Sequence, residues 1–309
     1  MAKITILTPC YNEEDNIMEL WQQIRGITAQ IKEHEFVHMF IDNASTDSTP
    51  ARIRELCQRD SNVKAIFNTR NFGHIRSPVY GLLNAPGDAV ILMASDLQDP
   101  PELIPEYLEK WKQGAKVVMA VKNESEESPL FFFARKCFYS LIAKISDIKL
   151  IKNFTGTGLY DRNVLDTIKG IDDPYPYFRG LIADLGFPSA VVHFKQPVRK
   201  RGFTKNNFYT LYDMAMLGII NHSRIPLRLA TLIGFLMSGL SLFLAFAYLI
   251  AKLFFWEIFP TGIAPLLIAV FFFSAIQLFF IGIIGEYIGT ILTQVQKRPL
   301  VIERERLNF

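Results

Sequence analysis

The residues best equipped for chemistry are acidic and fall in short polar segments. Asp96, Gln98 and Asp99 stand in ASDLQDPPE, directly after an apolar run. Oxygen donors there suit a hard divalent cation. A cation that bridges two phosphates neutralises a nucleoside-diphosphate leaving group. The same residues also suit a helix N-terminus, with Asp99 as cap, Pro100 or Pro101 opening the helix and Glu102 in its first turn. Both readings hold together if Asp99 is structural and Asp96 and Gln98 are functional. Asp42 and Asp47 flank the turn in DNASTD, where Asp also serves purely local hydrogen bonds. Tyr11, Asn12, Glu13 and Glu14 follow the first apolar run. Tyr11 offers a flat ring to cover a base, although polar residues are ordinary in such loops.

The elements that must position these groups alternate. Residues 4–8, 37–42, 63–68 and 89–94 read as strands, and residues 14–32, 49–58, 75–83 and 101–112 read as helices. Strand and helix in alternation predict an α/β fold, a mostly parallel sheet with helices on both faces. In such sheets ligands bind beyond the carboxyl ends of the strands. Segments 9–16, 42–47, 70–74 and 96–101 all fall at those ends, which says more than any one motif. No G-x-G-x-x-G follows a strand and no P-loop is present, which counts against NAD-type and ATP-hydrolysing readings.

The second half of the chain obeys a different solvent. Residues 229–251 and 258–285 contain no Asp, Glu, Lys or Arg. A bilayer core of roughly 30 Å takes about 20 apolar helical residues to cross, so two transmembrane helices are expected. Arg224 and Arg228 precede the first, and Lys297, Arg298, Arg304 and Arg306 follow the second. The positive-inside rule then puts both termini in the cytoplasm and the short loop outside, with Phe254, Phe255 and Trp256 at the outer interface. The chain reads as a multi-pass protein of the cytoplasmic (inner) membrane. MAKITILTP lacks the parts of a signal peptide, so the N-terminal domain is expected in the cytosol. Cys10, Cys57 and Cys137 have no metal-ligand spacing and read as reduced thiols. A net charge of +3 is too small to argue for nucleic acid. Two amphipathic stretches with basic neighbours are expected either in the membrane interface or packed on the core. One carries Leu130, Ala134, Cys137, Phe138, Leu141 and Ile145; the other carries Phe208, Leu211, Tyr212, Ala215 and Ile219.

In order, TPCYNEEDN, IDNASTDST, TRNFGH, ASDLQDPPE, YFRGL, RGFTK and IPLRL resemble the motifs of a family 2 glycosyltransferase of GT-A type. The resemblance is closer to the polyprenyl-phosphate branch, which includes dolichyl-phosphate mannose synthases and bacterial bactoprenol glucosyltransferases of O-antigen modification. It covers nearly the whole chain. It implies a Rossmann-like GT-A domain over residues 1–205, an interfacial linker over 206–226, two spans over 227–293 and a cytosolic tail over 294–309. It also implies a UDP- or GDP-sugar donor, Mg or Mn, a polyprenyl phosphate acceptor and inversion at the anomeric carbon. By position, Pro9, Tyr11, Asn12 and Glu13 would frame the nucleoside, with Asp42 near the base. Asp96 and Gln98 would hold the metal. Arg70 and the loop of Arg201, Thr204 and Lys205 would face phosphates, because their forked donors match phosphate oxygens. Asp96, Arg201 and Lys205 would then carry catalysis, and Arg135, Lys136, Arg179 and Arg224 are candidates for the lipid phosphate.

The chain departs from the family pattern at three places. Asp42-Asn43 stands where relatives often have Asp-Asp or Asn-Asp. Ala94 replaces the first acid of D-x-D. Residues 153–162 lack the acid proposed as base in relatives until Asp161, which itself reads as a helix start. Chemistry resolves the last: a phosphate monoester, with its second pKa near ~6, is already largely ionised and has no proton to remove. The enzyme must instead align two anions, stabilise the leaving diphosphate and exclude water.

The expected reaction moves a hexose, foremost glucose from UDP-glucose, to undecaprenyl phosphate at the cytoplasmic face, with a separate flippase acting afterwards. Three alternatives stay open: an N-acetylhexosamine or aminopentose donor, a dead nucleotide-binding scaffold, and a nucleotide-sugar hydrolase. Gly234, Ser238, Gly239 and Ser241 would permit a homo-oligomer through helix packing.

Overall fold

A computed structural model of the chain describes residues 1–122, 154–197, 225–254 and 263–309, with Met216, Ile220 and Ser223 singly. Eight strands form one mixed sheet: β1 (Ala2–Cys10), β2 (His34–Asp42), β3 (Val63–Asn68), β4 (Ala89–Leu92), β5 (Val117–Lys122), β6 (Phe154–Asp161), β7 (Ser189–Phe194) and β8 (Glu303–Leu307). Their spatial order is β7-β5-β6-β4-β1-β2-β3-β8. β1 runs parallel to both β2 and β4, and β2 parallel to β3. β6 enters antiparallel between β4 and β5, and β8 pairs antiparallel with β3 at the edge. The strands are near-continuous apolar runs because both faces are covered. Ile4, Ile6 and Leu7 of β1 are all buried, although they point to opposite sides.

Six helices supply the cover. On one face Leu20 and Ile24 of α1 (Ile17–Thr28) join Tyr107 and Leu108 of α4 (Ile104–Lys112) over Ile4, Ile6 and Ile91. α2 (Thr49–Arg59) packs Ile53 and Leu56 beside them against Phe40 and Phe67. On the other face α3 (Gly73–Asn84), α5 (Arg162–Ile171) and α6 (Phe178–Leu185) cover Leu7, Met39 and Ile41. Glycine is required where β6 crosses β5. Gly158 has φ +142, and a Cβ there would lie 2.0 Å from the Val118 carbonyl oxygen.

Two long helices follow: α7 (Ile225–Phe254) and α8 (Ile263–Gln296). The stretches Ile225–Leu244 and Phe272–Gln296 are long and apolar enough to cross a membrane. Their large side chains face outward, with Phe235 76% and Leu242 70% exposed. Apolar surface on that scale marks a membrane or protein contact and suits a lipid environment. α8 continues beyond the charge-free run of 258–285, past Glu286 to Gln296. Its end meets the domain, where the Gln294 amide donates to Asp173 Oδ1 at 2.8 Å. Tyr287 Oη donates to the Ser223 carbonyl at 2.8 Å.

Residues 294–309, read from the sequence as a tail, do not hang free. Val301 is buried, and residues 303–307 complete the sheet as β8. Alternating Glu and Arg hide a strand from pattern reading, and only the exposed edge of β3 reveals a partner for it. Both interfacial stretches lie outside the described residues except Met216.

Candidate active site

The carboxyl ends of β1 to β4 open on one side of the sheet, and the loops leaving them interlock. The backbone N–H of Asn12 donates to Ser45 Oγ at 2.9 Å, and Thr46 N–H donates to Asn12 Oδ1 at 2.8 Å. Glu13 N–H donates to Thr49 Oγ1 at 2.8 Å, while Ser48 N–H donates to Glu14 Oε2 at 2.8 Å. Asn12 and Ala44 adopt left-handed backbones with φ 55 and 60, a strain that such reciprocal ties sustain. Asn12 therefore shapes the cleft wall. Buried Asp42 sits at the end of β2 and accepts from Ser45 N–H at 3.2 Å. Burial pushes its carboxyl up, and the Ser45 hydrogen bonds and the charge of Arg304 pull it back.

Asn43, one of the departures from the family pattern, is the hub of the next loop. Its Oδ1 accepts from Asn68 Nδ2 at 3.0 Å and from Phe72 N–H at 2.9 Å. Its Nδ2 donates to Asn71 Oδ1 at 2.9 Å and to the Gly73 carbonyl at 3.2 Å. That uses the full capacity of the amide. A carboxylate could not make both donations, which is a structural reason for Asn here. The loop so held carries Arg70, whose guanidinium donates to the Asn71 carbonyl at 3.1 Å and lies 4.1 Å from the Phe72 ring centroid. Sequence reasoning missed Asn43 and Asn68 as a pair. The only signal was two Asn residues at strand ends among apolar neighbours.

After β4 the chain makes a tight turn. Gln98 N–H donates to Asp96 Oδ1 at 3.2 Å, and Leu97 between them has φ 59. Asp99 is not the helix cap expected from its position. Pro100 occupies the cap position of a short 3-10 turn, Pro101–Leu103, that precedes α4. Buried Asp99 instead accepts from Ala94 N–H at 3.1 Å and closes the 94–99 loop on itself. Burial pushes its carboxyl up to about 6; the Ala94 hydrogen bond opposes this and the neighbouring Asp96 charge adds to it. Ala94 thus contributes a backbone donor where the family pattern has an acid.

No group of three His, Cys, Asp or Glu side chains capable of holding a metal occurs among the described residues. The donors of Asp96 and Gln98 nevertheless fit a hard cation that takes its remaining oxygens from a diphosphate and water. Such a cation would be shared with the substrate.

At the end of β4 lies a cavity of about 320 Å³ lined by His74, Leu92, Gly156, Tyr177, Phe178 and Arg179, among others. Arg179 Nη1 donates to the Phe154 carbonyl at 3.2 Å, and its guanidinium carbon is 5.6 Å from the Tyr177 ring centroid. The structure therefore brings Arg179 to the same side as Asp96 and Arg70. Arg135, Lys136, Arg201, Lys205 and Arg224 lie outside the described residues.

Asp161 stands at the opposite end of the sheet. β6 runs antiparallel to β4, so Asp161 pairs with Ala89 at the start of β4 while Gly158 pairs with Leu92 at its end. Its carboxylate caps α5 through Asn163 N–H at 3.0 Å, accepts from Trp111 Nε1 at 2.8 Å and pairs with Lys116 at 2.9 Å. Burial works to raise its pKa, but these partners together hold it below the usual carboxylate range. Strand direction alone removes it from the site.

A strand-end cleft of acids and arginines on a mostly parallel sheet, followed by two long apolar helices, defines the class as an α/β protein whose candidate site lies beyond the carboxyl ends of its strands. The profile of glycosyl transferase family 2 matches residues 5–169, and the chain belongs to that family. It is a glycosyltransferase of GT-A type. An uncharacterized glycosyltransferase of Bacillus subtilis is 36% identical over 96% of this chain and 92% of its own length. The SfII prophage-derived bactoprenol glucosyl transferase of Shigella flexneri is 35% identical over 97% of each chain. A prophage bactoprenol glucosyl transferase homolog of Escherichia coli K12 is 33% identical over 97% of this chain and 98% of its own.

Proposed function

We propose that the enzyme transfers glucose from UDP-glucose to undecaprenyl phosphate, with inversion, at the cytoplasmic face of the membrane. The observation that carries this reading is the full-length similarity to bactoprenol glucosyl transferases, through both apolar helices and β8. An acceptor phosphate oxygen attacks the anomeric carbon, the bond to the diphosphate oxygen breaks and UDP departs. No base is needed, which agrees with an Asp161 engaged at the far end of the sheet. Asp96 and Gln98 would hold Mg or Mn together with the donor, and that ion would supply charge neutralisation to the leaving diphosphate. Arg70, with Arg201 and Lys205, would bind the donor phosphates. Arg179, with Arg135, Lys136 and Arg224, receives the lipid phosphate. The two apolar helices hold the cleft at the membrane, where the acceptor head group resides. A flippase acting on the product, and a homo-oligomer, belong to the same proposal.

The test presents the purified full-length protein with Mg or Mn, undecaprenyl phosphate and a panel of radiolabelled nucleotide sugars, and follows label into the organic phase. Label carried from UDP-glucose only with lipid and metal present is the expected result. Label from another donor would correct the sugar. Free sugar released without lipid would establish a hydrolase, and tight binding without turnover a scaffold.

A further inference from the structure

The segment leaving α8 re-enters the domain against the donor side of the cleft. Thr69 N–H and Oγ1 both donate to the Ile302 carbonyl, at 3.0 and 3.1 Å. Arg76 donates to the Pro299 carbonyl. The loop that carries Arg70 is thus held between Asn43 on one side and this returning segment on the other. β8 then pairs with β3, and the pairing steps from Asn68–Glu303 to Phe67–Glu305. Arg304 is the residue left over at that irregularity. Bulges occur preferentially beside active sites, where they re-aim a side chain. Phe67 pairs on its other side with Asp42. Arg304 therefore stands two strands from Asp42, with β3 between them, at the carboxyl end of the sheet.

Its neighbours are otherwise engaged. Glu303 accepts from Tyr80 Oη at 2.8 Å and from Arg306 Nε at 2.9 Å. Glu305 pairs with Arg54 at 2.6 Å. Asn308 donates to the Cys57 and Val63 carbonyls, both at 2.8 Å. Exposed Arg304 makes no hydrogen bond or ion pair among the described residues, yet its charge acts on Asp42. The rest of the strand explains how Arg304 is held there; among the described residues its charge acts on Glu305 and Asp42 and no hydrogen bond engages its guanidinium.

We propose that Arg304 is a donor-binding residue, a cation delivered from beyond the second long helix to close the Asp42 side of the cleft on the nucleotide. This rests on the nucleotide-sugar reading above. It also means that the donor site is complete only when α8 and the segment after it are in place.

The experiment uses the full-length protein in lipid nanodiscs, with UDP and UDP-glucose as probes by calorimetry and with steady-state kinetics alongside. Arg304→Gln should weaken binding of both probes and raise the donor KM roughly tenfold, the usual scale for a lost charged hydrogen bond. Its kcat and its KM for undecaprenyl phosphate should stay within about twofold of wild type, and Arg304→Lys should recover most of the affinity. Arg306→Gln, which loses the Glu303 pair and the stacking on Phe309, should lower Tm and leave donor affinity alone. Wild-type donor affinity in Arg304→Gln, or a loss that merely follows Tm as in Arg306→Gln, overturns the proposal. A wild-type protein that binds and transfers while Arg304→Gln is unaffected removes the role of Arg304 alone. A wild-type protein that binds neither probe removes the donor reading itself.

Discussion

The two ends of the sheet use the same side chains in opposite ways. At the amino end, Asp161 is tied to Trp111, Lys116 and Asn163, and Arg162 donates through Nε to the Gly87 carbonyl at 2.8 Å. Charge there is consumed by local structure. At the carboxyl end, Asp42 and Asp99 are buried against their own desolvation cost, and Asn12, Ala44 and Leu97 hold left-handed backbones. Strain and raised carboxylates are costs that a fold keeps where binding or chemistry repays them. On the proposed function, the contrast divides residues that stabilise from those at the ligand end, within one residue type.

Substitutions at the two ends should therefore divide cleanly between activity and stability. The largest effect is expected at the carboxyl end. Asp96→Asn should lower kcat/KM for lipid glycosylation by roughly 10²- to 10³-fold, the scale of lost charge stabilisation at a leaving group, with Tm nearly unchanged. Near-wild-type transfer would remove Asp96 from the site. Asn43→Ala should come next. It leaves the Phe72 N–H without its acceptor and takes one of two acceptors from Asn68 Nδ2, which keeps Ser77 Oγ at 3.0 Å; it should cost about 2–3 kcal/mol in chemical denaturation, with a raised donor KM as the Arg70 loop loosens.

Asp161→Asn should cost about 1–2 kcal/mol and leave kcat/KM within about twofold. An equal loss of activity would blur the distinction between the ends. The sign of its pH dependence follows from linkage. The folded-state pKa lies below the unfolded one, so the carboxylate stabilises above the ordinary Asp range. That stability is lost as pH falls through the folded value. Acid unfolding curves of wild type and Asp161→Asn should accordingly converge at low pH and separate towards neutrality. Glu35→Gln breaks an exposed pair with Lys3 at the amino end and should change stability by less than about 0.5 kcal/mol, a baseline for the other three.

Much of the fold was legible in the chain because local periodicity and turn chemistry act over short distances. The strand at 63–68 coincides with β3, and the helix at 49–58 differs from α2 by one residue. The acids of ASDLQDPPE and DNASTD lie at strand ends, where alternation of elements puts them. The direction of β6 was not legible, since nothing in residues 154–161 states which way a strand enters a sheet; that direction sets Asp161 apart from the cleft. Asn43 looked like a departure from a pattern until four partners within residues 68–73 closed around it. Residues 303–307 had no apolar alternation to betray a strand, because an edge strand needs only a neighbour's unpaired backbone groups. By itself the sequence determined the α/β alternation, the apolar helices and the types of residue available for phosphate chemistry, all of which depend on composition and short-range spacing. Only the tertiary structure decided which acids share a cleft, which one is spent on stability and that the chain's last strand returns to the donor side, because those facts depend on strand direction and long-range pairing.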